Sequence, residues 1–226
     1  NLTANGLVNY GDIIVDANKT GTGIGLLDNY GRVTGNGQFD TTLTNAADGE
    51  VRATNGETLR FVAADNVNEG EINIINGAVE FSQNVTNSAG GFIGGRGVFE
   101  ADGGLDNQGL MAFTGTTDIF GEVDNNGDGQ VIVSGGSVVT FFDDVVHNGV
   151  EIRTSAGAQT VFLGTLSGSG LFTGSGAVFL EGGLNPGNSP GLQSFSGNVT
   201  MGPLNDSVME IGGLVRATHG PGAAER

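Results

Sequence analysis

An Asn-x-Gly signal returns about every twenty residues along this chain, and it limits the fold more than any other feature. It stands as Asn9-Tyr10-Gly11, Asn29-Tyr30-Gly31, Asn68-Glu69-Gly70 and Asn107-Gln108-Gly109. Looser copies run from Asn45 to Gly49, Asn87 to Gly90, Asn125 to Gly129 and Asn148 to Gly149. Asn9 and Asn148 are 139 residues apart in seven steps, a mean of about 20. A period of this size marks an array of stacked units, none of which folds alone.

Superposing the repeats shows what each unit hides. Between Glu71 and Val85 the apolar residues are Ile72, Ile74, Val79, Phe81 and Val85; sixty residues on stand Val131, Val133, Val139, Phe141 and Val145. Within a unit the spacing is two, then a turn containing Gly, then two again. Period-two alternation bounded by Gly and Asn predicts short half-buried strands, and no window carries helical periodicity. Each unit is therefore about three strands joined by tight turns, and its apolar side chains need a neighbouring unit to cover them.

Stacking the units at strand spacing lines equivalent residues into columns. The expected columns are Val51, Ile72, Val131, Ile152; Leu59, Val79, Ile119, Val139; and the aromatic set Phe61, Phe81, Phe141. Asn9, Asn29, Asn68, Asn87, Asn107, Asn125 and Asn148 are expected to form a ladder at one corner, each amide bonding the next. Glycine at 43 of 226 residues fits a coil with three corners. The expectation is an all-β solenoid, a single-stranded parallel β-helix of about 20 residues per coil and about 10 coils.

The rival explanations of so much glycine fit less well. It does not fall at every third position and only four prolines are present, so collagen fails. A net charge of -17 favours disorder, but 37% of residues are hydrophobic and they keep register. A β-propeller blade needs about twice this repeat length.

The repeat runs without interruption through residues 1–183. A different texture follows in 184–212, opening with Leu184-Asn185-Pro186-Gly187-Asn188-Ser189-Pro190-Gly191 and closing with Met209-Glu210-Ile211-Gly212-Gly213, with strand-like residues between. Residues 213–226 are unpatterned and read as a flexible tail. The two segments together resemble the C-terminal part of repetitive β-helical passenger regions in bacterial autotransporters and in PEP-CTERM-type exported proteins, although Asn185 stands where those families carry Ser. The resemblance implies a right-handed β-helix, export, and a surface or matrix role.

Composition points the same way. There is no cysteine, so neither a disulfide frame nor a thiolate metal site can form. Twenty-five acidic residues against eight basic ones create a field that repels nucleic acid and anionic lipid. No apolar run is long enough for direct membrane insertion as a helix.

Few residues offer chemistry. Asp124-Asn125-Asn126-Gly127-Asp128-Gly129 matches D-x-N-x-D-G, which would present Asp124, Asn126 and Asp128 to a Ca²⁺ ion, with Glu122 at hand. The twelfth loop position is Gly135 rather than a bidentate Glu, so a plain turn is the competing reading; no other cofactor is expected. Asp143-Asp144 reads as a solvated corner and His147 as a surface-turn residue. Tyr10 and Tyr30 are expected to pack against each other across neighbouring turns. Arg52 and Arg60 alternate with interior residues and should face solvent.

The expectation for function is a non-enzymatic structural or adhesive β-solenoid, secreted or at a bacterial cell surface. It would be a homo-oligomer or filament subunit joined head-to-tail through its coil ends, with a cell-surface glycan or protein as partner. The alternative is a carbohydrate-active or glycan-binding β-helix, such as a polysaccharide lyase or hydrolase or a tailspike-like fibre.

Overall fold

The computed structural model describes residues 5–22, 25–187 and 192–207. Every regular element among them is a strand, and every pairing between strands is parallel. A parallel ladder needs a crossover, and here each crossover is the rest of a coil. The result is a β-solenoid of about nine turns, roughly 20 residues per turn, where about ten coils were expected. At strand spacing this makes a rod of roughly 40–45 Å.

One face is a ten-stranded sheet of very short strands: Leu7–Asn9, Leu26–Asn29, Thr42–Asn45, Asn66–Asn68, Val85–Asn87, Leu105–Asn107, Val123–Asn125, Val145–His147, Leu166–Gly168 and Leu184–Asn185. We call it the ladder face. The remaining strands form a fifteen-stranded sheet that bends around the other two sides. Some coils contribute one long bent strand, such as Glu71–Phe81, Phe92–Ala101 and Leu110–Phe120. Others split it in two around a tight turn, as in Gln130–Val133 followed by Val138–Phe141. Gly136 in that turn has a φ of 79°, a left-handed value that side chains with a Cβ rarely adopt.

Alternation sorts the side chains. Val33, Val51, Ile72, Ile93, Met111, Val131 and Ile152 make a buried column, as expected for that set. The other two expected columns are corrected by the register. Leu59, Val79, Phe99, Ile119, Phe141 and Phe162 stack in one column. Val139 instead faces Thr117, one inward position earlier. Phe39, Phe61, Phe81 and Ala101 form a further column that goes no further.

The cause is a change in the coil itself. Leu110–Phe120 bulges where Gly95 pairs with Phe113 but Gly97 pairs with Thr117, so the later strand holds two extra residues there. The following corner is shorter by the same amount. Val79 to Val85 and Phe99 to Leu105 are six residues apart, whereas Ile119 to Val123 and Phe141 to Val145 are four apart. Gly121, with a φ of 93°, turns directly against Ala101, and a Cβ on it would strike the Ala101 carbonyl. The aromatic stack thus leaves one column and resumes in another, with Phe141 and Phe162 5.1 Å apart at 10°.

Pairing continues past Gly183. Leu184–Asn185, Ser194–Phe195 and Asn198–Met201 each pair with the coil before. Residues 188–191 of the Pro-Gly motif, Met209 to Gly213, and the proposed tail 213–226 lie outside the described residues. Among the described residues no helix is long and apolar enough to cross a membrane.

Candidate functional site

The repeated asparagines form the ladder. Asn9 Nδ2 donates to Asn29 Oδ1 at 2.7 Å, Asn29 to Asn45 at 2.7 Å, Asn45 to Asn68 at 2.7 Å, and Asn68 to Asn87 at 2.7 Å. Asn87 continues to Asn107 at 2.7 Å and Asn107 to Asn125 at 2.6 Å. Each amide also donates to the carbonyl of the glycine that follows it, as Asn45 does to Gly49 and Asn125 to Gly129. The rungs from Asn29 to Asn125 are fully buried. A buried amide costs free energy unless its groups are paired, and here each rung satisfies the next. Glycine follows because a Cβ at Gly49 or Gly129 would strike a backbone carbonyl of the preceding coil.

Two positions differ from the expected ladder. Asn45 is a rung that strict spacing passes over. Asn148 is not one: its Oδ1 accepts from the Ser169 backbone N–H at the surface. The rung belongs to His147, paired with Asn125 in the strand register and fully buried rather than at the surface. His219 lies outside the described residues.

The ladder direction settles the histidine tautomer. Asn125 spends its Oδ1 on Asn107, so its Nδ2 faces His147 Nδ1 at 2.9 Å and must donate to it. The ring proton then sits on Nε2, which donates to the Leu171 carbonyl at 3.0 Å. Phe172 packs edge-on at 5.1 Å. Burial without a counter-charge lowers the pKa of His147 below the ordinary histidine value. The ring is a neutral structural connector with both nitrogens committed.

The acidic turn is spread out. Asp124 stands on the outer side of its strand beside Asp106, Asn126 donates its amide to Asp106 Oδ1 at 2.8 Å, and Asp128 is exposed on the turn. Gly127 supplies the left-handed residue that the turn needs, with a φ of 53°. Among the described residues no three His, Cys, Asp or Glu side chains gather in a way that could hold a metal ion.

Tyr10 and Tyr30 do stack, with ring centroids 5.1 Å apart at 19°, and both remain exposed. Arg60 faces outward and bonds Ser82. Arg32 pairs with Asp12 at 3.1 Å.

A concavity lies where the coil narrows. It has a volume of about 550 Å³ and is lined by Glu100, Asp102, Phe120, Glu122, Phe142, Asp143 and Asp144. Phe120 and Phe142 flank the buried Ile119 and Phe141, so alternation turns both rings outward, where they stack 4.3 Å apart at 19°. Asp143 Oδ2 accepts from the Gly121 N–H at 2.7 Å, and Asp144 Oδ1 from the Thr165 N–H at 2.7 Å. The Glu100 carboxyl is pushed above its ordinary pKa, by burial first and then by the neighbouring Glu80 and Asp102 carboxylates.

The sequence alone puts Asp143 and Asp144 at a corner but does not mark the rest of this groove. The available signal was the pair Ile119-Phe120-Gly121 and Phe141-Phe142-Asp143: two adjacent apolar residues in an alternating strand force one of them outward.

The architecture defines the class of protein: a parallel β-solenoid with an internal asparagine ladder. No protein-family model, curated protein or solved structure matches the chain.

Proposed function

We propose that this chain is a non-enzymatic structural and adhesive solenoid, secreted or displayed at a bacterial cell surface, whose coils stack end to end with those of another copy. The observation that carries the reading is the unbroken buried ladder from Asn9 to His147 beside continuous apolar columns. These side chains satisfy and pack one another, leaving the outer faces and the coil ends as the surfaces for interaction. Among the described residues, Leu7–Asn9 and Asp12–Gly21 each pair with one neighbouring strand only. A parallel ladder of this kind lengthens by adding strands, which is the chemistry of β-augmentation. The acidic composition and the Pro-Gly motif, which resembles that of exported β-helical proteins, support export.

Sedimentation velocity over a range of concentrations, with negative-stain images of the same samples, tests the assembly. Rods that lengthen in multiples of the single-chain length are expected. A rod that stays monomeric at every concentration overturns the axial reading. Release of reducing ends from any member of a polysaccharide panel overturns the non-enzymatic one.

A further inference from the structure

We propose that the groove where the coil narrows is a docking site for a basic segment of another protein, with an arginine or lysine side chain laid across Phe120 and Phe142. This goes beyond the structural reading and does not depend on whether the coils stack axially.

The outward column through this point reads Arg60, Glu80, Glu100, Phe120, Phe142 and Leu163. It changes from charged to apolar at the step. Phe142 is 36% exposed and Leu163 41%, whereas the solvent side of such a strand is ordinarily polar. An exposed apolar patch with a polar rim is the usual mark of an interaction surface. The rim here has one sign: the groove lining contains Glu100, Asp102, Glu122, Asp143 and Asp144 and no Lys, Arg or His. The ion pair among the described residues lies elsewhere, at Arg32 and Asp12.

The chemistry of the lining selects the occupant. The faces of stacked phenyl rings carry negative charge density and attract a cation, most of all a guanidinium. Asp143 and Asp144 are each held through one oxygen by a backbone N–H, and a carboxylate so anchored keeps acceptor capacity on its second oxygen for a charged donor. A metal ion is a poorer match, since among the described residues no three carboxylates gather closely enough to hold one. A neutral sugar would bring hydroxyl groups, but the lining side chains are carboxylates and hydrocarbon, which favour a cation. A basic segment supplies an apolar stem for the rings and charges for the rim.

The test is isothermal titration of the full chain with a short arginine-rich peptide and its citrulline counterpart. The arginine peptide is expected to bind, more weakly as salt rises, and the citrulline peptide to fail. F120S/F142S should weaken binding about tenfold, the size of a lost cation–π contact near a partly desolvated charge. D143N/D144N should weaken it similarly, while keeping the acceptors that Gly121 and Thr165 use. D28N/D48N, an equal charge change on other surfaces, should leave it unchanged. Equal weakening by D28N/D48N would reduce the effect to diffuse attraction by an acidic protein and overturn the site. So would absence of arginine-peptide binding, or a neutral oligosaccharide that binds the wild type but not F120S/F142S while the peptide fails.

Discussion

The coils before Ala101 and those after Ile119 have the same ladder and the same parallel register, yet they enclose their cores differently. The earlier coils turn six residues after Val79 or Phe99 and hold an extra inward column, Phe39, Phe61, Phe81 and Ala101. The later coils turn four residues after Ile119 or Phe141 and replace that column at the opposite end with Thr117, Val139, Thr160 and Val178. A solenoid can therefore change its cross-section by one inward position without interrupting the ladder. The bulge in Leu110–Phe120 compensates for the shortened corner, so the ladder residue returns to the same place. What the step leaves behind is a ledge, and the acidic, aromatic groove sits on it.

Phe61→Ala gives the largest expected change. Phe61 is fully buried between Phe39 and Phe81, at 5.2 and 5.3 Å, so its loss should destabilise by about 3–5 kcal/mol in denaturant unfolding. A cost under about 1 kcal/mol would mean the outer column of the wide coils is not packed as described.

Asn87→Ala strips a rung. It leaves the Asn107 carbonyl without its donor and the Asn68 amide without one acceptor, at a cost of about 2–4 kcal/mol. Asn148→Ala, one residue beyond the ladder, should cost less than about 0.5 kcal/mol. Similar losses for the two variants would contradict the assignment of the rung to His147.

Ala101→Phe asks whether the narrowing is structural. If the chain merely lacked a large residue there, phenylalanine would extend the Phe81 stack and stabilise the rod. Because Gly121 turns against Ala101, the substitution should destabilise by about 1–3 kcal/mol.

The histidine rung makes the later coils sensitive to acid. The groups around the ring are the Asn125 amide, the Leu171 carbonyl, Gly170 and Phe172, all uncharged. Burial among uncharged groups disfavours the protonated ring, which would also set an Nδ1–H against the Asn125 N–H, so the folded pKa lies below the unfolded value of about 6.5. The stabilising contribution of the neutral ring is complete above that value. It is lost as pH falls through the folded pKa, by up to about 1.4 kcal/mol per pH unit. Melting temperature should therefore fall below pH 6.5 more steeply in the wild type than in His147→Asn, which keeps an acceptor for Asn125 but cannot titrate. Parallel curves would show that the ring is not a buried rung.

Much of the fold was legible because corner and core each impose their own residue types. A buried amide ladder demands Asn, close backbone stacking at the next corner demands Gly, and alternation marks the strands between. Individual positions were harder to read because the rungs are unevenly spaced: Asn29 to Asn45 is 16 residues, Asn45 to Asn68 is 23, and Asn125 to His147 is 22. A mean period of about 20 therefore cannot separate Asn148 from His147, and residue type points to the asparagine where the register places the histidine. The aromatic column misled for a related reason. Phe81 and Phe141 look equivalent by spacing, but the bulge after Phe113 moves Phe141 into the column of Val79. The groove was not legible as a site because it belongs to no repeat; it exists only where two kinds of coil meet.

Disulfide mapping across the step tests the central claim most directly, in a chain with no native cysteine. Asp118 and Thr140 are register partners with outward side chains, at a separation that parallel neighbours share with natural disulfides. D118C/T140C should oxidise readily to an intramolecular bond, and F120C/T140C should not. Efficient closure of F120C/T140C with failure of D118C/T140C would place Ile119 opposite Val139 and remove the step on which the groove rests.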